Sequence, residues 1–252
     1  MLKQGNDPDK ALVSPRVFLP LYRRTARRVV MTFDTSHTDR MRKILELPEK
    51  GKRMGTAVYY APAIPAGAGL AGPALGCPLA AVVAEILFAC GTKTIIPFGT
   101  CGSLQRFAKI GQYVVADSAF SDEGTSRHYF PKRRVFQTDR QGCDELMRFL
   151  QEHDEIPHSG RVWTTDAFFR ETREKVAGFR DQGLLAADME LSALCAIAEY
   201  RGGKSIVPLL VISDSLATLK WKPGMILPGF RERIQRAMEL LADFLMDRKS
   251  KT

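Results

Sequence analysis

Apolar positions along the chain alternate between strand-like runs and helix-like spacing. Residues 27–33 (RRVVMTF) form a continuous apolar and β-branched run and read as a buried strand. DTSHTD after it is expected to be a loop, with a helix from about residue 40 to 47. Residues 56–64 (TAVYYAPAI) have strand composition. The next segment, 66–78, is rich in Gly, Ala and Pro, which lets backbone approach a ligand or another backbone closely. Residues 79–91 (LAAVVAEILFACG) have the spacing of a buried helix, with Gly91 just past its end. Residues 92–99 (TKTIIPFG) read as a short buried strand running into Thr100-Cys101-Gly102-Ser103, and 112–120 as another strand. A helix near 143–153 leads to the strand SGRVWTTD. Residues 186–202 read as a helix with Met189, Ala193, Leu194 and Ile197 on one side. The run 204–215 (KSIVPLLVISDS) is a buried strand, and 230–247 an amphipathic C-terminal helix.

Strands alternating with helices, several strands being apolar throughout, predict an α/β fold with a mainly parallel sheet covered on both faces. Three strands end in small or polar residues: GTCGS, TTDAF and SDS. In open α/β sheets the ligand crevice lies outside the carboxyl ends of the strands, so these three ends are expected to form one site. The chain is read as an N-terminal arm, 1–26, its first 15 residues loose or docked on a neighbour, followed by a single domain, 27–252.

Composition narrows the class. The 252 residues are 45% hydrophobic and 26% charged, which excludes a disordered chain, a fibre and a coiled coil. No apolar stretch is long enough for a membrane span, and the N-terminus lacks the apolar core of a secretory signal, so a cytoplasmic location is expected. Five cysteines, at 77, 90, 101, 143 and 195, form neither a disulfide framework nor a CxxC pattern. The net charge of +9 suits an anionic substrate. Basic clusters at Arg23, Arg24, Arg27 and Arg28 and at Lys132, Arg133 and Arg134 come without a nucleic-acid-binding motif, so no nucleic acid is expected.

Several residues are placed to do chemistry. Gly99-Thr100-Cys101-Gly102-Ser103 follows a strand, and its N–H groups and hydroxyls suit an anion or sugar oxygens; an ordinary tight turn reads the same way. Glu190, after Met189, is either a helix-dipole partner or a bidentate acceptor for vicinal hydroxyls. Asp214, at the mouth of IVPLLVIS, is either a desolvated proton donor or a cap, and Asp166 has the same two readings. His37 and His128 lie near these segments, but no triad, HxH or HExxH spacing exists, so no metal is expected.

In order, the motifs GTCGS, DEGTSRHYFP, VWTTDAFFRET, AADMELSAL and VISDS resemble the nucleoside phosphorylase-I family, which includes purine nucleoside phosphorylases, uridine phosphorylases and related nucleosidases. The resemblance implies a three-layer αβα sandwich around a distorted central sheet, in a homodimer or a hexamer of dimers. It implies that Glu190 accepts hydrogen bonds from the ribose hydroxyls above Met189. Phe168 would lie against the base, with Arg170 as a further base contact. Asp214 would protonate a purine N7. Gly99, Thr100, Arg40 and an Arg53 supplied across the dimer would hold phosphate. No cofactor is implied; phosphate is the co-substrate and a nucleoside the partner. Phosphate-binding members carry a Gly-Asp-Pro turn where this chain has Phe33-Asp34-Thr35, and an arginine where it has Pro97. The resemblance implies phosphorolysis of a purine or pyrimidine nucleoside, and these two departures open the hydrolytic alternative. The alternatives are hydrolysis by water and nucleoside binding without catalysis.

Overall fold

A computed structural model of the chain describes residues 11–22, 24–63 and 67–247. A 3-10 turn (Pro15–Phe18) leads into α1 (Leu19–Tyr22), β1 (Arg28–Thr32), α2 (Thr35–Ile44), β2 (Lys52–Met54), β3 (Ala57–Tyr60) and β4 (Gly69–Gly72). Then come α3 (Cys77–Ala89), β5 (Thr94–Ser103), β6 (Tyr113–Asp122), α4 (Ser126–Tyr129), β7 (Val135–Gln137), α5 (Arg140–Glu152) and β8 (His158–Thr165). A second 3-10 turn (Phe168–Arg170) precedes α6 (Arg173–Asp181), β9 (Ala186–Asp188), α7 (Leu191–Tyr200), β10 (Ser205–Ile206), β11 (Leu209–Ser215), β12 (Lys222–Pro223) and α8 (Phe230–Asp247).

All the described strands join one sheet. Its heart is parallel: β4, β1 and β5 run side by side, β5 continues into β11, and β6, β8 and β9 form a second parallel set. Antiparallel pairs occur at the margins, in β2–β3–β4, β6–β7 and β11–β12. They also occur where β5 meets β9 and β6 meets β11, so that β5, β9, β8, β6 and β11 close on one another in a ring. That closure is the distortion of the sheet. Two apolar layers cover it, one from α3 and α7, the other from α2, α5 and α8, giving the αβα order. Val29, Val30 and Met31 are fully buried because β1 is covered on both faces, as its unbroken apolar run requires.

Four elements differ from the sequence reading. DTSHTD is the first turn of α2, not a loop: the Asp34 side chain accepts a hydrogen bond from His37 N at 2.8 Å and caps the helix, which ends at Ile44. The Gly-rich segment contains β4, fully buried between β1 and β3. A Cβ on Gly72 would lie 2.2 Å from Thr32 Oγ1, so the glycine allows the two backbones to approach. Residues 186–188 are β9, and the helix begins only at Leu191. The run 204–215 is broken at Val207-Pro208 into β10 and β11. Pro97, inside the central strand β5, is accommodated by that break. Ile95 O accepts from Val207 N, and strand groups alternate with a period of two, so the N–H that Pro97 lacks would face the interruption.

The arm lies partly outside the described residues, which begin at 11. Beyond the first 15 residues, Tyr22 is buried, Phe18 and Leu19 pack on the α3 layer, and the Tyr22 hydroxyl donates to the Arg53 carbonyl. Gly91 has a φ of +112°, as expected of a residue just past the end of α3.

Candidate active site

One crevice opens at the carboxyl ends of β1, β5 and β11 and at the start of α7. Gly99, Thr100, Phe168, Met189, Glu190 and Asp214 all line it. Two of the three strand ends picked out by sequence, those of β5 and β11, meet there, and the third reaches it through the turn after β8.

Asp214 owes its position to a bulge. Ile212 pairs with Cys101 and Asp214 with Gly102, which leaves Ser213 extra in β11. Successive side chains in a regular strand face opposite ways; the bulge lets Ser213 and Asp214 both line the crevice. Asp214 Oδ1 accepts from Ser213 Oγ at 2.7 Å and Oδ2 from Trp221 Nε1 at 3.1 Å, with β12 pairing back on β11 to bring Trp221 there. A Cβ on Gly102 would sit 3.0 Å from Asp214 Oδ2, so the second glycine of GTCGS makes room for the carboxylate.

Glu190 stands at the N-terminus of α7 but does not cap it. Asp188, at the end of β9, does so instead: its Oδ2 accepts from Glu190 N at 3.1 Å and Leu191 N at 2.7 Å, and its Oδ1 from Thr164 Oγ1 at 2.6 Å. Thr164 Oγ1 in turn accepts from Ser192 N at 3.0 Å. With the helix end satisfied by its neighbours, the Glu190 side chain extends into the crevice and accepts from Gly76 N at 2.7 Å. Burial, and then the charge of Asp188, hold the Glu190 carboxyl well above the usual range; Asp188 is raised chiefly by burial.

Sequence reasoning missed Asp34, Glu171 and Asp188, which also line the crevice. Asp34 was visible as a carboxylate just after a strand and Glu171 as the last acid of VWTTDAFFRET, whereas Asp188 lay in a segment read as helix. Burial, then the charge of Asp214, push Glu171 up to about 7. At Asp34 burial opposes, but the hydrogen bonds and charge of His37 prevail and lower it. His37 pairs with that carboxylate and stacks edge-on against Phe98, ring centres 5.7 Å apart.

The three arginines expected near phosphate or base do not line the crevice. Arg40 lies beyond the first turn of α2, because the helix starts five residues earlier than read. Arg53 is exposed on β2 at the far margin of the sheet, and Arg170 is exposed at the end of its 3-10 turn. Among the described lining residues five are acidic and none is Lys, Arg or His. The crevice of a single chain thus offers carboxyl groups and no basic side chain, an arrangement suited to positive charge forming on a substrate.

A second acidic group, Cys77, Glu123 and Asp166, brings its ligand-type atoms within 4.8 Å of one another. Its oxygens are already engaged: Glu123 accepts from Ser121, Ser126 and Ser192, and Asp166 from Gly124 N. Burial holds the Cys77 thiol protonated. The trio reads as a hydrogen-bonded cluster whose residues are not among those lining the crevice. Asp166 belongs to it and does not line the site.

The sequence profile of the Phosphorylase superfamily matches residues 30–247. Guanosine phosphorylase of Halorubrum lacusprofundi is 37% identical over 128 residues, 51% of this chain and 53% of the relative. A DeoD-type purine nucleoside phosphorylase of Bacillus cereus is 30% identical over 151 residues, 58% of this chain and 63% of the relative. The chain therefore spans between half and two thirds of the curated relatives it matches. The fold is similar to that of purine nucleoside phosphorylase from Toxoplasma gondii in complex with immucillin-H (TM-score 0.77, 18% identity, 92% of this chain and 94% of that one). It is also similar to AMP nucleosidase from Bacteroides thetaiotaomicron (TM-score 0.72, 19% identity, 94% and 97%). The matched residues extend from β1 to α8 and span every strand that builds the crevice, and the chain belongs to the phosphorylase superfamily.

Proposed function

We propose that this protein is a nucleoside phosphorylase, cleaving the N-glycosidic bond of a purine nucleoside with phosphate to give free base and ribose 1-phosphate. The observation that carries the reading is that Glu190 and Asp214 line the same crevice. Breaking the bond between base and C1′ builds positive charge on the sugar and negative charge on the base. A carboxylate that grips the 2′- and 3′-hydroxyls stabilises the first, and a carboxyl that protonates N7 neutralises the second. Met189 packs beneath the sugar and the half-exposed Phe168 lies against the base. Thr100, beside the Gly99 backbone, offers a hydroxyl to the nucleophile. The names of the relatives at 30–37% identity, guanosine and purine nucleoside phosphorylase, support a purine.

Phosphate needs a cation, and in this reading it comes from a neighbouring copy. Arg53, exposed at the sheet margin, is the residue assigned to that role, in a homodimer or a hexamer of dimers. A specific observation favours a second reading, in which water is the nucleophile: five carboxylates and no basic residue line the described crevice. One assay separates the two. Guanosine, inosine, adenosine and uridine are incubated with and without phosphate, and base and sugar products are followed. Phosphate-dependent ribose 1-phosphate is the expected result; free ribose formed equally well without phosphate assigns the protein to the hydrolytic class. Binding with no release of base would remove the enzymatic reading.

A further inference from the structure

Trp221 stands half exposed in the segment between β11 and β12, yet its one polar atom reaches inward. Its Nε1 donates to Asp214 Oδ2 at 3.1 Å, and Asp214 is buried. The segment is built to hold it there. Leu219, at a φ of +58°, closes a turn by donating its N–H to the Leu216 carbonyl at 2.8 Å. Trp221 follows, and then Lys222 and Pro223 pair with Ser215 and Asp214. Gly224 N donates to Ser213 O at 2.8 Å; a Cβ on Gly224 would lie 2.6 Å from that oxygen, so the glycine permits the approach. Trp221 is not among the residues lining the crevice, so it reaches the reaction only through Asp214. The two oxygens of that carboxyl have different partners. Ser213 Oγ lies 2.7 Å from Oδ1 and 3.3 Å from the Cys101 carbonyl oxygen. A hydroxyl both donates and accepts, so by turning to Cys101 it serves Oδ1 with or without a proton. An indole N–H only donates, and its bond to Oδ2 is strongest when the carboxyl carries negative charge.

We infer that Trp221 is a positioning residue for Asp214: its N–H fixes the carboxyl and stabilises the charge left there when the proton goes to the base. This rests on the glycosidic cleavage proposed above, with Asp214 as the acid. The bond between N9 and C1′ breaks and its electron pair goes to the base. The Asp214 carboxyl gives its proton to N7 and is left ionised. An oxygen of phosphate or water bonds to C1′, any proton it sheds goes to solvent, and solvent returns a proton to Asp214 between turnovers. No co-reactant is required. The donor is in place before the charge develops, so no reorganisation is needed as the proton leaves. A hydrogen bond that strengthens only at that moment acts on kcat rather than on KM.

The test uses two nucleosides in the full-length protein. Guanosine needs N7 protonated before its base can leave; 7-methylguanosine carries a methyl there and does not. Trp221→Phe keeps an aromatic ring and removes the N–H. Its kcat on guanosine is expected to fall about 10-fold or more, the scale of one hydrogen bond to a charged group. Its KM should stay within about twofold of wild type, and the loss on 7-methylguanosine should be about five times smaller or less. Trp221→His carries a ring N–H the same number of bonds from the backbone and should recover most of the loss. Added to Asp214→Asn, Trp221→Phe should cost nothing further, because one residue acts through the other. An unaltered Trp221→Phe, equal losses on both nucleosides, a His variant no better than Phe, or additive losses in the double variant would each overturn the inference. Should Trp221→Phe fail to fold by circular dichroism, Trp221→Leu against Trp221→His makes the same comparison. If Asp214→Asn loses guanosine turnover while Trp221→Phe keeps it, only this inference falls. A wild-type protein that releases base from neither nucleoside overturns the function reading and takes this inference with it.

Discussion

At the scale of single residues, the crevice places ionisable groups where folding alone would not keep them. Glu190 is buried and its carboxyl is raised by burial and by Asp188. The folded state therefore binds more protons than the unfolded chain above the ordinary value of 4.5, and stability falls as pH rises through that window. Glu190→Gln keeps an oxygen for Gly76 N and removes the buried charge. At pH 8 it is expected to raise Tm by about 2–4 °C, the shift that roughly 1 kcal/mol produces at this size. It should also lower kcat/KM by about 10²–10³-fold through loss of the ribose grip. Calorimetry and steady-state kinetics on one preparation check both; a variant less stable than wild type at pH 8 would contradict the account. Asp214→Asn is expected to lower purine nucleoside cleavage by about 10²–10⁴-fold with little change in unfolding midpoint. Unchanged turnover would remove Asp214 from the chemistry.

At the scale of elements, two local devices aim the chemistry. The bulge in β11 turns Ser213 and Asp214 into the crevice, and the cap of α7 is displaced from Glu190 to Asp188 and Thr164. The second device makes a separable prediction. Asp188→Asn keeps an acceptor for the N–H groups of Glu190 and Leu191 but removes the neighbouring charge. Glu190 should then ionise at lower pH, and the acid limb of kcat/KM should move downward while helicity by circular dichroism is retained. A limb that stays put would mean that Asp188 acts only as a cap. Long elements such as α3, α8 and β6 were legible in the sequence because one apolar period runs through each of them. Short ones were not. Three residues, as in β9, carry no period, and the glycines of β4 resemble a loop until Tyr59 beside Gly69 and Thr32 beside Gly72 are seen to leave no room for a side chain.

For the whole molecule, the closed ring of β5, β9, β8, β6 and β11 brings strand ends from positions about 115 residues apart in the chain to one opening. The crevice that results is acidic, and under the function proposed above the cation that phosphate requires comes from a neighbouring copy. Arg53→Ala should raise KM for phosphate on the order of 10–100-fold, the equivalent of one charge-assisted hydrogen bond. The variant should keep its oligomeric mass by light scattering and its affinity for nucleoside. A mixture of Arg53→Ala and Asp214→Asn subunits, each defective alone, should recover activity on forming mixed oligomers. No recovery in demonstrably mixed oligomers would place both groups in the service of one subunit.

Local order and chemical type were determined by the sequence itself. Apolar periodicity marked the main helices and strands, and the order of five short motifs identified the family and the carboxylates Glu190 and Asp214, because periodicity and residue type are properties of neighbours along the chain. Which groups share a crevice was decided only by the tertiary structure. Glu171 and Asp34 entered it, and Arg40, Arg53 and Arg170 did not line it, because a capped helix start, a bulge and a sheet closed on itself set the direction of each side chain. Those directions depend on contacts between residues far apart in the chain, which no local pattern encodes.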